Sequence, residues 1–190
     1  LDALRRSLVA FLDVSERLPS RIDYRLVGTG AALLHGVDLP VNDIDILLRR
    51  RRDVDALGEA MAAFPCLSTP TWLPEARQYY GSYDLHGVEI GISTVEVDTE
   101  RDTIETYGPG PWRHYSNVPC GGHSVPTVAL ELRLYTELRR NRPDRFEPLL
   151  RYLQVHGCDR DLMTRCVAPD CGLSEGAQER VRRLLAGTKP

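Results

Sequence analysis

Val27-Gly28-Thr29-Gly30-Ala31-Ala32-Leu33-Leu34-His35-Gly36 and, shortly after it, Asn42-Asp43-Ile44-Asp45-Ile46 are the most informative stretch of this 190-residue chain. Tyr24 to Val27 reads as a short strand that ends at Gly28. Ala31 to Leu34 suits a short buried helix closed by Gly36. A glycine at that strand-to-helix step lets backbone and ligand approach closely. The helix start offers N–H groups and a positive dipole end, a natural seat for phosphate, and Thr29 adds a hydroxyl donor. Asp43 and Asp45 stand at i and i+2 of the next strand, so both carboxylates point to one face while Ile44 and Ile46 point to the other. Two carboxylates side by side repel unless a cation or a proton joins them. Oxygen ligands of this kind select hard cations such as Mg²⁺ or Mn²⁺.

On the N-terminal side, Leu4, Leu8, Phe11 and Leu12 fall on one helical face, and that helix stops near Pro19-Ser20. On the C-terminal side, Asp38 to Asn42 is a polar connector. Asp53 is placed to cap a helix whose apolar stripe is Val54, Leu57, Met61 and Phe64. Pro65 to Pro74 reads as irregular. Tyr79–Leu85 and Val88–Thr94 read as strands joined at His86-Gly87 in a tight hairpin. Residues 99–111 form a charged, Gly- and Pro-rich loop with the composition of a mobile one, and Trp112 to Pro119 suits another strand. From Thr127 the texture turns helical: Leu130, Leu134 and Leu138 line one face. Pro143 starts a second helix stopped by Gly157, and Asp159 and Ser174 are placed to cap two more. These patterns describe an α/β front, residues 1–125, and a helical back, residues 126–190.

Composition narrows the function. Net charge is −3 and there is no long basic run, so a broad nonspecific nucleic-acid footprint is not favoured. Lys189 is the single lysine, so a phosphate clamp has to be built from Arg or backbone N–H groups. No apolar run reaches membrane-spanning length, and no secretory signal opens the sequence. The five cysteines, an odd count, suggest reduced thiols in a cytoplasm. His156, Cys158, Cys166 and Cys171 lack the C-x-x-C pair of a structural zinc site, which favours structural thiols.

Other readings of the central stretch are weaker. Gly28-Thr29-Gly30-x-x-Leu33 has Leu33 where a dinucleotide fingerprint needs Gly or Ala, and no regular βαβ series follows. There is no Gly-Lys-Ser/Thr for a P-loop. Asp43-x-Asp45 taken alone also fits a solvated strand end.

Taken together, Val27-Gly28-Thr29, thirteen intervening residues and Asp43-Ile44-Asp45 resemble the motif of the DNA polymerase β-type nucleotidyltransferase superfamily. Thr29 stands where that motif has Gly or Ser but keeps a hydroxyl. The family also carries a third carboxylate between hydrophobic residues on a later strand, and Val88-Glu89-Ile90 is similar to it. Asp84, Glu96 and Asp98 are its competitors. Gly91, on the face of Glu89, would leave room for substrate. The resemblance implies an α+β fold, a nucleotidyltransferase-type mixed sheet flanked by helices, with a C-terminal helical subdomain.

It also implies Asp43, Asp45 and Glu89 as metal-binding and catalytic residues, two Mg²⁺ (or Mn²⁺) ions, and a nucleoside triphosphate held at Gly28 and Thr29. The implied activity is transfer of a nucleoside monophosphate to an acceptor hydroxyl. Small members of the superfamily modify antibiotics, and others modify tRNA ends or protein hydroxyls. An acidic cleft from Asp84, Glu96, Asp98, Glu100 and Asp102 would suit a polycationic small molecule. The alternative is an inactive binding or antitoxin module on the same fold. His35, His86, His114 and His123 have no evident partners in the sequence, and Arg139, Arg140, Arg142 and Arg145 read as a solvated face that could also reach a phosphate.

Overall fold

The computed structural model describes residues 2–168 and 171–187. Helix α1 (Asp2–Glu16) buries Leu8, Phe11 and Leu12, three of the four apolar residues its periodicity singles out. Strand β1 (Tyr24–Val27) feeds α2 (Gly28–Leu34), and Gly36 follows with φ of 97°. β2 (Asp43–Leu48) carries Asp43 and Asp45, with Ile44 and Ile46 in the core.

Helix α3 (Arg51–Ala60) begins two residues before Asp53. Asp53 is therefore inside the first turn and not at the cap; it is buried and accepts from Arg50 Nε at 2.8 Å. The stretch expected to be irregular holds a strand, β3 (Cys66–Leu73). It lies at the sheet edge, where Pro70 is tolerated because one side of the strand needs no ladder partner, and register shifts interrupt its pairing. β4 (Gln78–Leu85) and β5 (Val88–Val95) form the hairpin, with positive φ at His86 (59°) and Gly87 (83°), the sign pattern of a two-residue turn that matches strand twist.

Trp112 lies in a four-residue helix, α4 (Gly110–Arg113), and the strand after it, β6, starts at Tyr115 and ends at Cys120. It turns through Gly121-Gly122 into β7 (His123–Val128), so the helical texture begins a few residues later than the sequence suggests. Two polar residues at its start and Pro126 inside hide β7 in the sequence; its pairing to β6 and β1 is what makes it a strand.

The result is an α+β molecule with a mixed seven-stranded sheet in the order β3-β4-β5-β2-β1-β7-β6. β2 runs parallel to β5 and antiparallel to β1, and β1 runs parallel to β7. Helices α5 (Leu130–Arg139), α6 (Pro143–His156), α7 (Arg160–Cys166) and α8 (Glu175–Gly187) complete the chain. One apolar cluster joins the sheet to α1 and α3. A second joins α5–α8 to Ala32, Val37, Leu39 and Ile104. Cys166 and Cys171 are buried in that second cluster, as small apolar side chains would be. No described helix is long and apolar enough to cross a membrane.

Candidate active site

The parallel pairing of β2 and β5 sets Asp43 opposite Glu89 and Asp45 opposite Gly91. Residues paired across a ladder share a face, so three of the expected acids and the glycine lie on one surface. Of the competitors for the third acid, Asp84 is paired with Glu89 across the hairpin, and its Oδ1 accepts from Gly87 N at 2.6 Å. Glu96 follows the opposite end of β5 and is bound by Arg51 through two contacts of 2.8 and 2.7 Å.

The room above Gly91 is taken by protein atoms. A Cβ there would stand 3.2 Å from Tyr80 Cε2 and 3.5 Å from Asp45 Oδ1. Tyr80 donates its hydroxyl to Glu89 Oε1 at 2.9 Å, and burial raises its phenol above the ordinary value. Gly28 has φ of 70°, and a Cβ on it would fall 2.3 Å from Asp45 Oδ2. That glycine is required twice over, by its left-handed backbone and by the carboxylate against it.

Asp45 is partly buried, and its carboxyl is pushed up to about 6. Burial is the main cause, then the charges of Asp43 and Glu105; Arg133 and Arg140 act in the opposite direction. A carboxylate held that way takes up a proton or a cation readily. The all-oxygen set of Asp43, Asp45 and Glu89 suits a hard divalent ion. Among the described residues no three His, Cys, Asp or Glu side chains converge closely enough to hold one as they lie, and Glu89 is engaged with Tyr80.

A buried ion network lies behind Gly28. The Gly28 N–H donates to Glu105 Oε1 at 2.7 Å. Glu105 is fully buried, and its other oxygen accepts from Arg133 at 2.8 Å. Arg133 also bonds the fully buried Glu137 one turn along α5. Arg140 and Arg142, largely solvent-exposed, each lie 3.9 Å from Glu137. The spacing Arg133–Glu137 was a readable helical ion pair. Glu105, in an irregular segment, had no periodicity to mark it.

The other acids expected in an acidic cleft do not gather at this face. Glu96, Asp98 and Glu100 together line a separate cavity with Arg49, Arg50 and Trp112. Asp102 pairs with His114 at 2.8 Å and Arg165 at 3.5 Å. His123 bridges Glu16 at 2.8 Å and Asp13 at 3.1 Å, and His35 bonds the Val128 carbonyl, so these histidines have structural partners.

No family model and no curated protein matches the sequence. Solved structures do. A proposed nucleotidyltransferase from Thermotoga maritima aligns with a TM-score of 0.54 at 17% identity, covering 78% of this chain and 93% of its own. An antigenic nucleotidyltransferase-like protein from Paracoccidioides brasiliensis aligns with a TM-score of 0.50 at 16% identity, covering 98% of this chain and 93% of its own. At such identities the likeness speaks for architecture, and architecture does not by itself fix activity. With its mixed sheet, its Gly28 step into α2 and its C-terminal helices, this chain has a nucleotidyltransferase-type fold.

Proposed function

We propose that this protein is a metal-dependent nucleotidyltransferase that moves a nucleoside monophosphate from a triphosphate to an acceptor hydroxyl and releases pyrophosphate. The observation that carries this reading is the pairing of Asp43 with Glu89 beside an Asp45 that abuts Gly28. Two Mg²⁺ or Mn²⁺ ions, when bound, would supply the charge that stabilises the attacking and leaving oxygens of an in-line displacement. Asp43, Asp45 and Glu89 would hold them. Glu89 would also accept the proton of the acceptor hydroxyl, with Tyr80 fixing one of its oxygens. Gly28 gives the triphosphate a close backbone approach. Its own N–H is committed to Glu105, so the donors offered to phosphate begin at Thr29. Arg140, near enough to Asp45 to affect its carboxyl, supplies positive charge for the phosphates.

The acceptor bears a hydroxyl on a small molecule, a tRNA end or a protein. Glu96, Asp98 and Glu100 line a cavity apart from Asp43, Asp45 and Glu89, so no acidic cleft beside those three acids supports a polycationic one. A second reading, a nucleotidyltransferase-fold binding or antitoxin module, draws on the lack of a converged three-acid cluster among the described residues.

Calorimetry with each nucleoside triphosphate, with and without Mg²⁺, separates the two. Wild type is expected to bind one or more triphosphates only with the metal, and Asp43→Asn/Asp45→Asn to lose that binding while melting cooperatively. Absence of binding by wild type would end the enzyme reading in favour of the module.

A further inference from the structure

Glu105 is a charged side chain with no solvent exposure, carried by a segment outside any helix or strand. Burying a carboxylate costs several kcal/mol unless its lone pairs are met. Here one oxygen accepts from Gly28 N at 2.7 Å and the other from Arg133 at 2.8 Å. Arg133 is in turn shared with Glu137, and both are almost fully buried. This ion ladder reaches from α5 in the helical half to the first residue of α2. Its last contact is the N–H of Gly28, whose lack of a Cβ leaves room for Asp45 Oδ2. The ladder is not fully satisfied: Arg133 Nε and Glu137 Oε2 have no hydrogen-bond partner among the described residues. Replacing such a set by apolar side chains often leaves stability unchanged or improved. Stability alone is a weak account of why it is built at this place.

We infer that Glu105 is a positioning residue for the nucleotide site: bonded to the Gly28 N–H and anchored by Arg133, it fixes the peptide against which the Asp45 carboxylate rests. The inference rests on the nucleotidyltransferase reading for what the site binds, and on the structure alone for what holds it. The bond to Gly28 needs an acceptor oxygen at position 105 but not a charge. A glutamine there keeps an acceptor for Gly28, whereas an alanine keeps none. Loss of a merely structural ion pair would treat the two replacements alike, because both remove the charge that Arg133 pairs with.

The test uses the full chain, with two readouts. The first is the amide proton shift and hydrogen-exchange rate of Gly28 by NMR, without metal or nucleotide. The second is the affinity for the Mg²⁺–triphosphate that wild type binds. In Glu105→Ala the Gly28 amide is expected to move upfield and exchange at least tenfold faster, and nucleotide affinity to fall about tenfold or more. Glutamine offers one acceptor oxygen for two donors, Gly28 N–H and Arg133, so a glutamine at 105 is expected to keep both readouts within about threefold of wild type only where Arg133 no longer donates to it. A buried Arg133 without its partner can prevent folding, and Arg133 also holds the buried Glu137, so Glu105→Gln/Arg133→Gln/Glu137→Gln and Glu105→Ala/Arg133→Gln/Glu137→Gln are measured as a second pair that carries none of the three buried charges, and the glutamine–alanine contrast is read there. An unmoved Gly28 amide in the alanine variants, or equal losses with glutamine and alanine in the second pair, overturns the inference. If wild type binds no triphosphate, the functional reading fails, and the amide contrast still decides whether Glu105 holds Gly28.

Discussion

At the residue scale, Asp45 bears the sharpest conflict between stability and chemistry. Its carboxyl, faced by Asp43, Glu105, Arg133 and Arg140, is pushed up to about 6, mainly by burial. A folded-state value above the unfolded one means that the folded form prefers the proton. The stability this contributes is full below the ordinary carboxylate range and is lost as pH rises through about 6. At neutral pH the ionised group therefore costs roughly 1–3 kcal/mol in the absence of a cation. Asp45→Asn is expected to raise the melting temperature at pH 7.5 by several degrees and to change it little near pH 4. Melts at both pH values without divalent ions check this; a fall in Tm at pH 7.5 would show that the carboxylate is net stabilising. Asp43 and Asp45 were readable from the sequence because alternation along a strand is a local property. Tyr80 was not: its place over Gly91 and its bond to Glu89 come from the β4–β5 register.

At the element scale, local signals worked where a single side chain controls a terminus. Asp159 was expected to cap a helix, and its Oδ1 accepts from Leu162 N at 2.9 Å at the start of α7. Its own N–H donates to the buried Glu131 at 2.7 Å, a bond that a backbone-preserving replacement keeps. Asp159→Ala should therefore remove the cap alone and cost about 1 kcal/mol. Urea unfolding with an unchanged slope would support that. A loss above about 3 kcal/mol would mean that the α7–α5 contact had come apart as well. Signals failed where pairing, not propensity, makes the element. β3 and β7 each contain a proline, and neither shows clean alternation. Their neighbours β4, β6 and β1 supply the hydrogen bonds that the residues themselves do not advertise. Asp53 illustrates the opposite error. It looks like a cap, but Arg50 takes that position and donates to the Asp53 carboxylate, which lies inside the first turn.

At the scale of the whole molecule, α2 belongs to both halves. Ala31 packs into the sheet cluster and Ala32 into the helical one, where Ile104 from the Glu105 segment joins it. The helical half also supplies Arg133, without which Glu105 would be a buried charge with no ion partner. A chain cut after Val128 is thus expected to lose cooperative folding, since it would expose the apolar side of α2 and strand the Glu105 carboxylate. Circular dichroism melts and size-exclusion chromatography of residues 1–128 would check it. A monomeric fragment with a sigmoidal melt would show that the sheet half is self-sufficient.

The sequence by itself determined the parts whose physics is short-ranged. These are the strand–glycine–helix step at Gly28, the shared face of Asp43 and Asp45, the hairpin at His86-Gly87, the cap at Asp159 and the change to helical texture before α5. Backbone conformation, side-chain alternation and capping act over a few residues, so they can be read in order along the chain. Tertiary structure decided what stands beside what. The β2–β5 register set Glu89 across from Asp43. The hairpin laid Tyr80 on the third carboxylate, and the packing of α5 against α2 joined Arg133, Glu105 and Gly28. The same packing and pairing set Glu96, Asp98 and Glu100 around a cavity that Asp43, Asp45 and Glu89 do not line, and paired Asp102 with His114. Charge acts through space, and its distances are set by the packed chain, not by separation along it.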